Sequence, residues 1–216
     1  MLKEHIKVRL ALVALAMLVV TGCQQQPQQP QQASDPAAKE QSEMRTAVPL
    51  VRRLDPNETG PIELEFDVPA QPDDDAPPVF IGVRVTGDDS TAVFDAADRL
   101  RRADISAEVR LYRVQESGPV EVGLQRSQRV GRGEEEPVAL SADGLAPRLF
   151  AFNADFSTMQ AAGLLSEGAA YRELAFAYTP SIPAGRYRVA IRFGQNREAL
   201  RAEEAELLVA YTAKGK

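Results

Sequence analysis

From Ile62 onward the chain alternates apolar and polar residues, the signature of strands with one buried face. "IELEFDV" sets Ile62, Leu64, Phe66 and Val68 in step, and "VFIGVRV" does the same with Val79, Ile81, Val83 and Val85. "AEVRLYRV" places Val109 and Leu111 on one side, Tyr112 and Val114 on the other. "PVEVGL" aligns Val120, Val122 and Leu124. "RLFAFNADF" aligns Phe150, Phe152 and Phe156, read as core, and "RELAFAYT" aligns Leu174, Phe176 and Tyr178. The clearest strand lies in "IPAGRYRVAIRF": Pro183 presets φ for a turn, Gly185 follows, and Tyr187, Val189, Ile191 and Phe193 then share a face. Arg186, Arg188 and Arg192 take the opposite face, where pairing with glutamates such as Glu206 is expected. "AELLVAYT" supplies the last strand.

One stretch changes period. In "DSTAVFDAADRLRRAD", Asp89 or Ser90 caps a helix whose apolar stripe is Val93, Ala96, Ala97 and Leu100. Asp95–Arg99 and Asp98–Arg102 stand four apart, and the arginines crowd the C-terminal end, as the helix dipole favours. A shorter helix is predicted in "STMQAAGLLSEG", with Gly163 interrupting it. Many strands separated by turn signals predict an immunoglobulin-like antiparallel β-sandwich with one or two short helical insertions.

The N-terminus follows another rule. Lys3, Lys7 and Arg9 precede the uninterrupted apolar run Leu10–Val20, too short to cross about 30 Å of hydrocarbon but the right size for a secretory signal. The alternative, a buried core helix, fits poorly with the Gln/Pro tract that follows directly. The exit Val20-Thr21-Gly22-Cys23 resembles the lipobox of bacterial lipoprotein precursors, with Val20 in place of the more usual leucine. The resemblance implies cleavage before Cys23, a diacylglycerol (palmitate-type) thioether on that residue and an acylated new N-terminus. Two or three acyl chains anchor stably where one does not. Gln24, where aspartate would favour inner-membrane retention, points to the outer membrane, inner leaflet, facing the periplasm. Residues 1–22 are then the signal peptide, and 23–60, rich in Gln and Pro and poor in apolar residues, a tether. Residues 61–216 are left as one sandwich domain, long enough to bury a core.

Removing the signal moves the formal net charge from −6 to −8. So acidic a chain argues against nucleic acid, which calls for a basic footprint. The only histidine, His5, leaves with the signal, and the only cysteine is consumed by lipid. Ser–His–Asp and Cys–His nucleophiles, histidine bases and the usual zinc ligand sets are therefore excluded. No cofactor is expected. Carboxylates, lysine, serine and tyrosine remain, but no spacing suggests paired carboxylates around a substrate, so the reading is not an enzyme. "VGRGEEEP" has two glycines but sets glutamates where a phosphate would sit.

Two acidic loops are the candidate partner-binding residues: Asp73, Asp74 and Asp75 in "QPDDDAPP", and Glu134, Glu135 and Glu136 at a hairpin tip. Consecutive aspartates diverge, unlike the spaced ligands of calcium loops. Both loops suit a basic protein surface, and both serve equally as solvated loops that deter edge pairing.

Taken in order, "IELEFDVP", "FIGVRV", "FDAADRL", "AEVRLYRV" and "PAGRYRVAIRF" resemble a family of proteobacterial lipoproteins whose domain has no known function. That resemblance implies a β-sandwich in the envelope and brings no site residues across. The expected function is a non-catalytic module that binds an envelope protein. In build it resembles immunity proteins that neutralise toxins from neighbouring bacteria. A structural role in envelope assembly is the alternative, and a ligand-binding or carboxylate-based enzyme a third.

Overall fold

A computed structural model describes residues 45–55, 57–70, 77–131 and 133–213. The signal, Cys23 and Asp73–Asp75 lie outside the described residues. The chain forms two antiparallel sheets packed as a sandwich. The larger sheet runs in the order β1 (Leu50–Arg53), β12 (Glu206–Tyr211), β3 (Val79–Gly87), β10 (Ala170–Thr179), β6 (Gln125–Arg129), β7 (Glu135–Ala139). The short β9 (Phe150–Phe152) also pairs with β10. The smaller sheet is β2 (Ile62–Val68), β11 (Gly185–Phe193), β4 (Ala107–Gln115), β5 (Gly118–Val122), with β8 (Leu145–Ala146) on β4. Helix α1 (Ser90–Arg102) connects the two sheets, while α2 (Phe156–Ala161) and α3 (Glu198–Ala202) are single-turn pieces.

The alternating strands bury the residues expected of them. Ile62, Phe66 and Val68 meet Tyr187, Val189 and Ile191 in the smaller sheet, and Val79, Ile81, Val83 and Val85 face them from the larger. The Phe66 and Tyr187 rings stack at 5.9 Å. The Tyr187 hydroxyl donates to the Pro183 carbonyl at 2.7 Å, four residues upstream, which pins the turn before β11 in a tyrosine-corner arrangement. Helix α1 is capped by Asp89, whose carboxylate accepts from the Thr91 N–H at 2.8 Å, and buries the predicted stripe.

Several expectations are corrected. The folded region begins before residue 61. Residues 46–48 hydrogen-bond along β2, with Val48 N–H on the Asp67 carbonyl. The chain then changes sheets at the cis Val48–Pro49 peptide and continues as β1 beside β12. Val48, Leu50 and Val51 are buried, so a segment whose composition reads as tether belongs to the sandwich.

The larger sheet is covered on both faces. A second cluster of Val51, Phe80, Ala175, Leu208 and Ala210 forms on its outer side, under Met159 and Leu164 of the α2 region. Phe150 and Phe152 pack into this second cluster rather than the main core, and Phe156 is 58% exposed at the start of α2. In β10 a bulge between Ala175 and Ala177 reverses the alternation. Leu174 and Phe176 therefore face the main core, whereas Tyr178 joins the outer cluster. Val120, expected inside, is 49% exposed because β5 lies at the sheet edge.

Candidate binding surface

The β6–β7 hairpin stands off the sandwich. It joins β10 through the Tyr178–Gln125 pair, and its two strands pair with each other from Gln125–Ala139 to Arg129–Glu135. Buried Leu124 and half-buried Leu140 fix its base, linked by the Leu140 N–H on the Leu124 carbonyl at 2.8 Å. Five residues at about 3.3 Å each give an arm roughly 17 Å long. Glu134 lies in the turn and its carbonyl accepts from the Val130 N–H at 3.0 Å. Glu135 accepts from the Ser127 hydroxyl at 2.7 Å, and Glu136 lies opposite Gln128. The predicted acidic residues are thus exposed, but Arg126 and Arg129 on the facing strand offset their charge.

The outer face of the smaller sheet carries the predicted arginine stripe as a ladder of ion pairs. Arg186 meets Glu65 at 2.5 Å, Arg188 meets Glu63 at 3.8 Å and Arg192 meets Glu108 at 4.0 Å. Cross-strand pairing holds, but Glu206 is not the partner, because it lies in the other sheet beside Arg84 and Arg53. Mutually compensated exposed pairs of this kind contribute little stability and present no net field.

Sequence reading missed two buried charged residues, Arg84 and Glu173. Arg84, on the outer side of β3, is 8% exposed; its Nε donates to Glu206 at 2.9 Å and its Nη1 to the Leu164 carbonyl at 2.7 Å. Glu173 stands opposite Arg84 on β10, 7% exposed. Burial pushes its carboxyl above the usual carboxylate range, with Arg172 and Arg84 opposing. The one charged residue in the otherwise apolar "FIGVRV" was the available signal, masked by the assumption that this strand has a solvated face.

A raised carboxyl pKa points to a functional site when the group opens to a cleft. Glu173 does not. Two open concavities lie elsewhere: one of about 350 Å³ beside Arg45, Arg52 and Arg53, another of about 280 Å³ between Asp55, Glu58 and α3. Among the described residues no three His, Cys, Asp or Glu side chains converge as a metal site. Residues 45–213 also contain no lysine, so every cation of the sandwich is an arginine and the amine chemistry left open by composition has no donor there. Comparison with known proteins finds no matching protein family, no similar curated protein and no matching solved structure, so the site rests on its own geometry.

Proposed function

We propose that this chain is a lipid-anchored envelope lipoprotein whose sandwich is a non-catalytic protein-binding module. Cys23 carries the lipid, the outer membrane holds it with the sandwich in the periplasm, and the β6–β7 arm meets the partner. The observation that carries the partner-binding part is the arm itself: a polar hairpin joined to the sheet at its base. Pro137 within β7 disfavours recognition by strand addition, so side chains such as Glu134 and Glu136 make the contact. The anchor rests on the Val20–Cys23 lipobox.

The experiment is photo-crosslinking in cells from a probe at Glu136, combined with radiolabelled palmitate. Amine-reactive reagents suit this surface poorly, since residues 45–213 contain no lysine and Lys39, Lys214 and Lys216 lie outside them. The expected outcome is label that disappears in Cys23→Ser and one recurrent partner that disappears in an arm-deleted chain. Recovery of a secreted toxin, with sensitivity of the deletion strain to its siblings, identifies an immunity role. Recovery of a resident assembly complex identifies a structural one. An unlabelled product that retains Met1 rejects the anchor, and crosslinks that survive loss of the arm reject the surface.

A further inference from the structure

We propose that Gly163–Gly168 is a lid on the outer face of the larger sheet, hinged at its two glycines, latched by Arg84 and released by ionisation of Glu173 beneath it. The segment follows α2 and leads into β10. Both of its end residues take the left-handed backbone region, Gly163 at φ 68° and Gly168 at φ 78°, where glycine sits without strain. Among the described residues, none outside the adjoining ones comes within 4 Å of the place a Cβ would take at either. Backbone freedom, not packing, is therefore what glycine supplies at these two points.

Little holds the lid down. Leu164 is buried and Leu165 half-buried against a cluster that includes Phe80, Ala175, Leu208 and Ala210. Among the described residues one hydrogen bond ties the lid to the sheet, from Arg84 Nη1 to the Leu164 carbonyl at 2.7 Å. The other bonds are local: the Leu164 N–H donates to the Met159 carbonyl at 3.0 Å, and the Ala169 N–H to the Ser166 carbonyl at 3.2 Å.

Glu173 lies beside this latch. It stands in register with Arg84 of β3 and Phe152 of β9, so the three share the outer face, yet it is buried. A carboxylate hidden on that face calls for a cover, and the segment bonded to Arg84 supplies it. The charges around it are Arg84, which also holds Glu206 at 2.9 Å, and Arg172 with Tyr171 on β10 itself; the lid's own acid, Glu167, is exposed. Burial holds the Glu173 carboxyl above its usual range, because the closed lid withholds water from the charged form. An ionised Glu173 also offers Arg84 a charge-assisted acceptor stronger than the Leu164 carbonyl. Ionisation thus disfavours closure and loosens the latch together. The open population rises with pH from the ordinary carboxylate value through the raised one, about tenfold for each unit between them, and is level above.

Native-state amide exchange of the full chain reads the opening. Protection of the Leu164 and Ala169 amides, corrected for the intrinsic rate, is expected to fall about tenfold from pH 5 to pH 7. It is also expected to ignore urea below the unfolding transition, while the Val189 and Ile191 amides of β11 follow the global urea slope. Glu173→Gln keeps the neutral form and abolishes the pH response; Glu206→Gln preserves it. Lid amides that share the urea dependence of β11 overturn the proposal, since the segment then opens only with the whole sandwich. So does a pH response that survives Glu173→Gln or is lost in Glu206→Gln. None of these outcomes bears on the anchor or the arm.

Discussion

Gly82 lies directly across from the Ala175 end of the bulge, in close contact with the β10 backbone. A Cβ there would overlap the Leu174 carbonyl and come within 2.7 Å of the Ala175 Cα, both backbone atoms that cannot swing aside. Gly82→Ala is therefore expected to destabilise the sandwich by about 3 kcal/mol, read as a lower urea midpoint at constant slope. Two residues along, Arg84 balances Glu206 and Glu173 under the Leu164 carbonyl. Arg84→Leu leaves buried Glu173 with only Arg172 to compensate it and Glu206 with only the more distant Arg53, and costs about 3 kcal/mol at neutral pH.

The pH dependence of that variant has a definite sign. The folded-state pKa of Glu173 is raised, so the native state holds its proton more tightly than the unfolded chain does. Stability therefore falls as pH rises from the ordinary carboxylate value through the raised one. Removing Arg84 raises that value further, so the variant recovers part of its loss at pH 5 relative to pH 7, which denaturation at the two pH values checks. Glu203 works in the opposite direction. Its hydrogen bonds from Arg99 at 2.6 and 2.7 Å hold its carboxyl below the usual range, and that contribution is present at neutral pH and lost on acidification through the lowered value.

At the scale of elements, the short helices end by the same device with different residues. After α2 the Gly163 N–H donates to the Gln160 carbonyl and the Leu164 N–H to the Met159 carbonyl, with Gly163 at φ 68°. This Schellman closure brings Met159 and Leu164 together over the outer cluster and delivers the Leu164 carbonyl to Arg84. The glycine expected to interrupt the helix terminates it. After α3, Glu204 holds the corresponding left-handed position at φ 49° without glycine's freedom. Gly163→Ala should cost about 1–2 kcal/mol and Glu204→Gly should add about 0.5–1, opposite shifts in melting temperature from like positions.

The same comparison explains which elements were legible. Helix α1 carries cap, stripe and charge bias in one stretch, so it reads directly. Segment β8, of two residues, is too short to show a period; β9 was legible as the Phe150–Phe152 part of "RLFAFNADF", but not that its alternation stops before Phe156; α3, of five residues, is too short to show a stripe and packs against α1 through Arg99–Glu203. The bulge in β10 leaves no mark in "RELAFAYT", because Leu174, Phe176 and Tyr178 are apolar on either reading.

For the whole molecule, the boundary of the folded unit is the most consequential correction. Segment "TAVPLVRR" is buried on both sides where β1 lies between the two clusters, so it lacks the alternation that marks a half-solvated strand. A chain starting at Arg45 is expected to unfold cooperatively, whereas one starting at Pro61 exposes the β12 edge and the cores beside it. The second should lose about 5 kcal/mol or more and aggregate, distinguishable by size-exclusion chromatography and thermal melting. The arm was legible only as an acidic turn, since its separation from the sheet depends on how β6 meets β10, a long-range pairing of one residue from each strand. The concavity beside Arg45 was not legible at all, because it forms from the edges of two different sheets.

The remaining borders of the sandwich carry proline or acid, with Pro119 and Glu121 in β5 and Glu135 and Pro137 in β7, which discourages lateral addition of further strands. The border formed by 46–53 differs, because its first half is bonded to β2 and its second half to β12. Any tension arriving along the polypeptide from the residues before Arg45 is consequently shared between both layers instead of peeling one away. Yielding would begin with those eight residues, a mechanical fuse at the rim, while the hairpin arm, rooted elsewhere in the larger layer, would stay folded.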